Sequence, residues 1–151
     1  MSKFEFTSLP DTPVEITSVK DLFTYEQYWL TYPLIYIHEC HNNAFQVASH
    51  LQSDTPIEIV EGYLEESNGT RIPHAFNKIG DKYFDFTLEK FSPEFNKQTY
   101  LAKRIYTRSS MLSVIGKMGG TCITFNGLYK KKYKYFINDE GELVKEPLPK
   151  V

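Results

Sequence analysis

Three residues of this chain have the types, and the order, of a thiol acyl-transfer centre: Cys40, His74 and Asp85. Cys40 stands in "ECHNNAFQVASHL", residues 39–51, at the point where a helix begins. The unpaired N–H groups and partial positive charge of a helix N-terminus favour a thiolate over a thiol. A histidine within reach of that sulfur takes its proton and later returns it to a leaving group. A carboxylate behind the histidine fixes its tautomer and balances the imidazolium. The Cys40 backbone N–H would be placed to donate to a developing oxyanion.

The pattern between residues 71 and 91 predicts that two of the three meet. "RIPHAFNKI", 71–79, and "KYFDFTLEKF", 82–91, read as strands around Gly80-Asp81, a two-residue hairpin signal. With that turn, residue 79 faces 82, Phe76 faces Asp85 and His74 faces Thr87. Residues 74, 76, 85 and 87 then project from one side of the sheet. His74 and Asp85 become diagonal neighbours, with α-carbons about 7–8 Å apart, a gap their side chains can bridge. A slip of one residue would send them to opposite faces. Pro73 marks the first strand as an edge or locally bulged one.

The elements that must carry these residues follow from periodicity. Cys40, Ala44, Val47, Ala48 and Leu51 fall on one side of a helix, which puts the cysteine in line with the buried face. Upstream, residues 1–17 are expected to be extended, since Pro10 and Pro13 break any helix. "SVKDLFTYEQYWL", 18–30, reads as a helix capped by Ser18, with Leu22, Tyr25 and Trp29 on its inner face. "TYPLIYIH", 31–38, is a proline-marked loop that ends in a short strand. "PIEIVEGYLEE", 56–66, reads as a strand, with Gly62 a bulge or a point of close approach. Beyond Pro93 the sequence predicts a helix near 109–118, ended by Gly119-Gly120. Two strands joined at Asn126-Gly127 and a turn around residues 139–141 follow, before a loose tail over 145–151. No repeat or linker divides the chain, so a single domain over 1–151 is expected.

Composition sets the class. A chain of 151 residues with 41% hydrophobic and 15% aromatic residues has ample material for a core and is unlike a disordered chain. A net charge of −2 speaks against general nucleic-acid or membrane binding. Two cysteines make no disulfide framework, and the chain has neither an apolar leader nor a run of ~18 apolar residues. The expectation is a cytoplasmic protein whose thiols stay reduced and reactive.

"CHNNAF" opening a helix, "VEGYL" on one strand, "PHAFN" on the next and "YFDFT" on a third resemble the transglutaminase-like branch of the papain-like cysteine enzymes. More narrowly, they resemble small bacterial and phage proteins with C-x-x-N-A, E-G-Y and H-A-aromatic motifs. The resemblance covers residues 39–88 and implies Cys40, His74 and Asp85 as the triad. Phe76 stands where Trp is more usual in that branch. Leu34 stands where the papain pattern has an oxyanion-stabilising Gln, which leaves the second oxyanion donor unassigned.

Each residue also has a plainer reading. A free cysteine is commonly a small buried hydrophobe, and Cys122 in "TCITF" is read that way, on a core strand. His74 alone is compatible with a hydrogen-bonded strand residue, and Asp85 with the outer face of an alternating strand. Asn43 reads as a solvent-facing helical residue. His38, Cys40, His41 and His74 have the ligand chemistry of zinc. Against that, adjacent Cys40 and His41 leave a helix about 100° apart, and neither a metal nor a cofactor is expected. "YKKKYKY", 129–135, interleaves basic and aromatic residues as a nucleic-acid surface does, but lysines guarding a strand edge produce the same letters.

The sequence thus predicts an α+β domain, an antiparallel sheet packed against the Cys40 helix in a papain-like or transglutaminase-like core. Its expected function is a cysteine hydrolase or acyltransferase acting on an amide or ester bond in a peptide, a protein or a small molecule. Peptidase, amidase, deamidase and transglutaminase-like chemistries all remain open. The alternative is a binding or inhibitor module, for instance against a host protein, that keeps the fold with a vestigial triad.

Overall fold

The computed structural model describes residues 3–117, 128–130 and 132–149. Their fold is α+β. Five antiparallel strands form the main sheet in the order β1-β5-β2-β3-β4: β1 (Thr7–Val14), β2 (Ile57–Glu65), β3 (Arg71–Ile79), β4 (Lys82–Phe84) and β5 (Thr99–Tyr106). The helices are α1 (Val19–Leu22), α2 (Tyr25–Thr31), α3 (Cys40–His50), α4 (Phe86–Phe91) and α5 (Arg108–Lys117). A second antiparallel sheet holds β6 (Leu128–Lys130), β7 (Tyr133–Ile137) and β8 (Leu143–Pro147).

The main sheet curls until its two edge strands approach. After β1, Ile16 bridges Tyr83 of β4, and the Thr17 N–H donates to the Tyr83 carbonyl at 2.8 Å. Pro10 and Pro13 are tolerated because β1 is an edge strand whose pairing is interrupted between Ser8 and Thr12. The inside of the curl is filled by Val60, Phe76, Tyr100, Ala102 and Ile105, with Leu88 of α4 packed against them. The outer face carries α3 and α5. Ala44 and Met111 meet Ile59, Ala75 and Tyr106 there, together with Ile137 from the second sheet. A third cluster joins Val47 and Leu51 of α3 to Val19, Tyr28, Phe84 and Phe86.

Several expectations are corrected. The helix foreseen over 18–30 is two helices, one capped by Ser18 and one by a Thr24–Gln27 capping box. The break at Phe23 rotates the second helix, so Val19 and Tyr28 are buried while Tyr25, Trp29 and Leu30 are exposed. Residues 31–38 contain a 3-10 turn, Tyr32–Leu34, and no strand. β5 was hidden in a segment with no clear period, yet it is the strand between β1 and β2. The tail expected to be loose from 145 is strand through Pro147, paired with β7 from Tyr133 to Ile137. The Gly119-Gly120 stop, Cys122 and the Asn126-Gly127 turn lie outside the described residues.

Candidate active site

The hairpin takes the register the turn dictates. Gly80, at φ 58°, supplies the positive dihedral of a two-residue turn, and Ile79 pairs with Lys82, Lys78 with Tyr83 and Asn77 with Phe84. The second strand, read as 82–91, stops seven residues earlier, at Phe84. Asp85 is the N-cap of α4, its Oδ1 accepting from the Leu88 N–H at 3.2 Å. The diagonal approach survives this change because Asp85 still follows the strand directly. His74 Nε2 and Asp85 Oδ2 are 2.7 Å apart, both side chains being buried. The Tyr100 hydroxyl, from β5, donates to the same Oδ2 at 2.7 Å.

Cys40 reaches this pair along the helix it opens. Asn43, one turn on, is buried rather than solvent-facing. Its Oδ1 accepts from the Tyr36 N–H at 3.1 Å, and its Nδ2 donates to the Tyr36 carbonyl at 2.7 Å and to Thr87 Oγ1 at 3.0 Å. Lys90, one turn along α4 from Phe86, donates to the carbonyls of Tyr32 and Ile35 at 2.7 and 2.9 Å. One short helix therefore places Asp85 at its start and clasps the segment that leads into Cys40. Within that segment His38 holds φ 64°, a conformation uncommon outside glycine. The N-cap residue of α3, Glu39, makes no side-chain capping bond.

The electrostatics of the thiol follow from its neighbours. Burial pushes the Cys40 thiol up, but hydrogen bonding and charge from His41 and His74 outweigh it and bring the group down to about 5. Burial works against charge on His74, yet Asp85 and then Cys40 raise it to about 10. Both directions favour a thiolate–imidazolium pair over the neutral thiol and imidazole. Nε2 of His74 is taken by Asp85, so Nδ1 is the ring atom left to exchange a proton with sulfur or substrate.

The sequence reading weighs His41 only as a metal ligand and gives it no part in the thiol chemistry, yet the structure brings it to the same sulfur as a second imidazole. His41 Nδ1 lies 3.5 Å from Cys40 Sγ, and its Nε2 lies 3.6 Å from Glu61 Oε2. Neighbouring helical residues diverge by about 100° at the backbone, but in the first turn the ring folds back towards the sulfur. Burial lowers His41, and contact with Cys40 and the charge of Glu61 raise it to about 9. Among the described residues no group of three or more His, Cys, Asp or Glu side chains is arranged to hold a metal ion. The signal available in the sequence was Glu61 of "IEIVEGYL", which a period of two puts in line with Ile57 and Ile59 on the strand's apolar side. Gly62 beside it pairs with His74 across β2 and β3. A Cβ there would overlap the Leu101 carbonyl of β5, at the register shift between Glu61 and Gly62.

A cavity of about 430 Å³ lined by Ala48, Ile57, Gly80 and Arg108 lies farther along α3 and holds none of these groups. No helix among the described residues is long and apolar enough to cross a membrane. The chain matches no protein-family model, and no curated protein or solved structure at a significant level.

Proposed function

We propose that the protein is a cysteine-dependent hydrolase or acyltransferase acting on an amide or ester bond, with Cys40 as nucleophile, His74 as proton carrier and Asp85 as its orienter. One observation carries the reading: a helix-start thiol brought down to about 5 stands beside a buried histidine that Asp85 holds at 2.7 Å. A structural cysteine has no need of a thiolate, and a structural histidine none of a buried carboxylate. In the first half-reaction the Cys40 sulfur bonds to the acyl carbon, the amine or alcohol departs, and His74 Nδ1 gives it a proton. In the second, water or another acceptor loses a proton to His74 as it attacks the thioester, and the sulfur leaves as thiolate. An α+β domain in which a cysteine helix packs on an antiparallel sheet suits the papain-like, transglutaminase-like core that the motifs resemble. Peptide, protein or small amide substrates in the cytoplasm fit this reading.

Alkylation of Cys40 by iodoacetamide against pH, with Cys122 as the internal control, tests it. Cys40 should react with a midpoint near 5, far below the roughly 8.5 of a free cysteine. His74→Ala should move that midpoint upward. Ordinary thiol titration in both proteins would refute the nucleophile and favour a binding module that keeps the fold.

A further inference from the structure

The mechanism above leaves a buried acid unexplained. Glu61 is fully buried on β2, and neither carboxylate oxygen has a hydrogen-bond partner among the described residues. Its cross-strand neighbour on β5 is Arg104, whose guanidinium is directed to the Ile137 carbonyl at 2.8 Å, to Asp139 at 2.9 Å and to the Tyr106 hydroxyl at 3.4 Å. The group aimed at Glu61 from the helix side is His41, 3.6 Å away. A buried carboxylate without a short hydrogen bond is costly; the Arg104 charge and the Tyr106 hydroxyl face Glu61 from β5, and His41 faces it from α3. The His41 ring, its side chain 23% exposed, spans from the buried acid at Nε2 to the Cys40 sulfur at Nδ1.

Building on the acyl-transfer reading, we propose that His41 is a second catalytic residue, the electrophilic donor to the carbonyl oxygen, and that Glu61 is its positioning residue. The geometry fits the role. When the Cys40 sulfur bonds to the acyl carbon, the carbonyl π pair moves to an oxygen that lies about a van der Waals contact from sulfur. A ring N–H that stands 3.5 Å from the sulfur is in reach of that oxygen. The Cys40 backbone N–H, at the uncapped start of α3, is the other donor. On collapse the pair returns to the carbonyl, the bond to the leaving group breaks, and His74 supplies that group's proton. His41 keeps its own proton throughout. Two imidazole–carboxylate couples thus flank one sulfur with separate tasks: His74–Asp85 moves the proton and His41–Glu61 holds the oxyanion. This fills the place that Leu34 leaves open against the papain pattern.

The test compares two reactions of the same thiolate. Iodoacetamide alkylation passes through no oxyanion, whereas acylation by p-nitrophenyl acetate does, and its p-nitrophenolate leaves without a proton. Both rates are measured at a pH above the thiol midpoint of each variant. His41→Ala should slow the p-nitrophenolate burst by roughly 100-fold or more while changing alkylation only a few-fold. His41→Gln, whose amide restores an N–H donor, should recover part of the burst. Glu61→Gln should reduce the burst by more than it reduces alkylation, and should raise the thiol midpoint, with an unchanged far-UV spectrum. Should His41→Ala fail to fold, the ratio in Glu61→Gln decides. An unchanged burst in these variants, or an equal fall in both reactions, overturns the oxyanion role. Absence in the parent of a burst faster than that of a free thiol of equal pKa removes the acyl-transfer reading and this inference with it.

Discussion

Asp85→Asn isolates what the buried histidine–carboxylate couple is worth. Asn keeps a cap oxygen for the Leu88 N–H, so the start of α4 is preserved. It loses the anionic oxygen that His74 and Tyr100 share at 2.7 Å each. Removing one partner of a buried ion pair costs about 3–5 kcal/mol. At about 2–4 °C per kcal/mol for a chain of this size, melting should fall by roughly 6–20 °C. The pH dependence is the sharper check. His74 is raised to about 10 in the folded protein, against an unfolded value near 6.5. Its contribution is therefore fully present below the unfolded value and is lost as pH rises through the folded one. The melting difference between parent and variant should be largest near pH 6 and should shrink by pH 10. What remains there is the loss of the Tyr100 bond. Calorimetry of the two proteins across that range gives both numbers. A difference that stays constant with pH would mean that His74 is neutral in the fold, and the charged couple would have to be abandoned.

Gly62→Ala should destabilise by about 3 kcal/mol or more, as an overpacked backbone contact does, because the added methyl meets the Leu101 carbonyl. A urea midpoint within error of the parent would contradict that close approach. Asn43→Ala strips the Tyr36 N–H and carbonyl and Thr87 of their partner, at about 1–3 kcal/mol, because Thr87 is buried while Tyr36 is open to water. It should also loosen the approach to Cys40, read as faster hydrogen exchange at Tyr36. Unaltered exchange there would show that the clasp is not what orders the segment.

Local chemistry made much of the frame legible. A glycine-led turn, alternation on either side of it and a side-chain period of two bring His74 towards Asp85 without any knowledge of the rest of the chain. The face of α3 that carries Ala44 and Val47 follows from helical spacing in the same way. Gly62 announced itself as a glycine inside a strand pattern. The strand containing Asp85 was read too long because "DFTLEKF" satisfies both periods. The capping bond to Leu88, a preference that only the next turn of chain reveals, decided for helix. β5 escaped notice because both its faces are covered and Arg104 interrupts the apolar letters. The acceptors that make a buried Arg104 tolerable, Ile137 and Asp139, arrive from the second sheet.

Contacts set by neighbours in sequence were thus determined by the sequence itself: the caps, the hairpin register and the inner face of the Cys40 helix. Contacts between elements were decided only by the tertiary fold. The clasp of α4 on the loop before Cys40, the Tyr100 bond to Asp85 and the approach of His41 to a buried Glu61 all join residues from separate elements. The reason is physical. A local dihedral preference specifies where a side chain points within its own element, whereas the charge state of a thiol or an imidazole depends on every group that burial brings within a few ångströms.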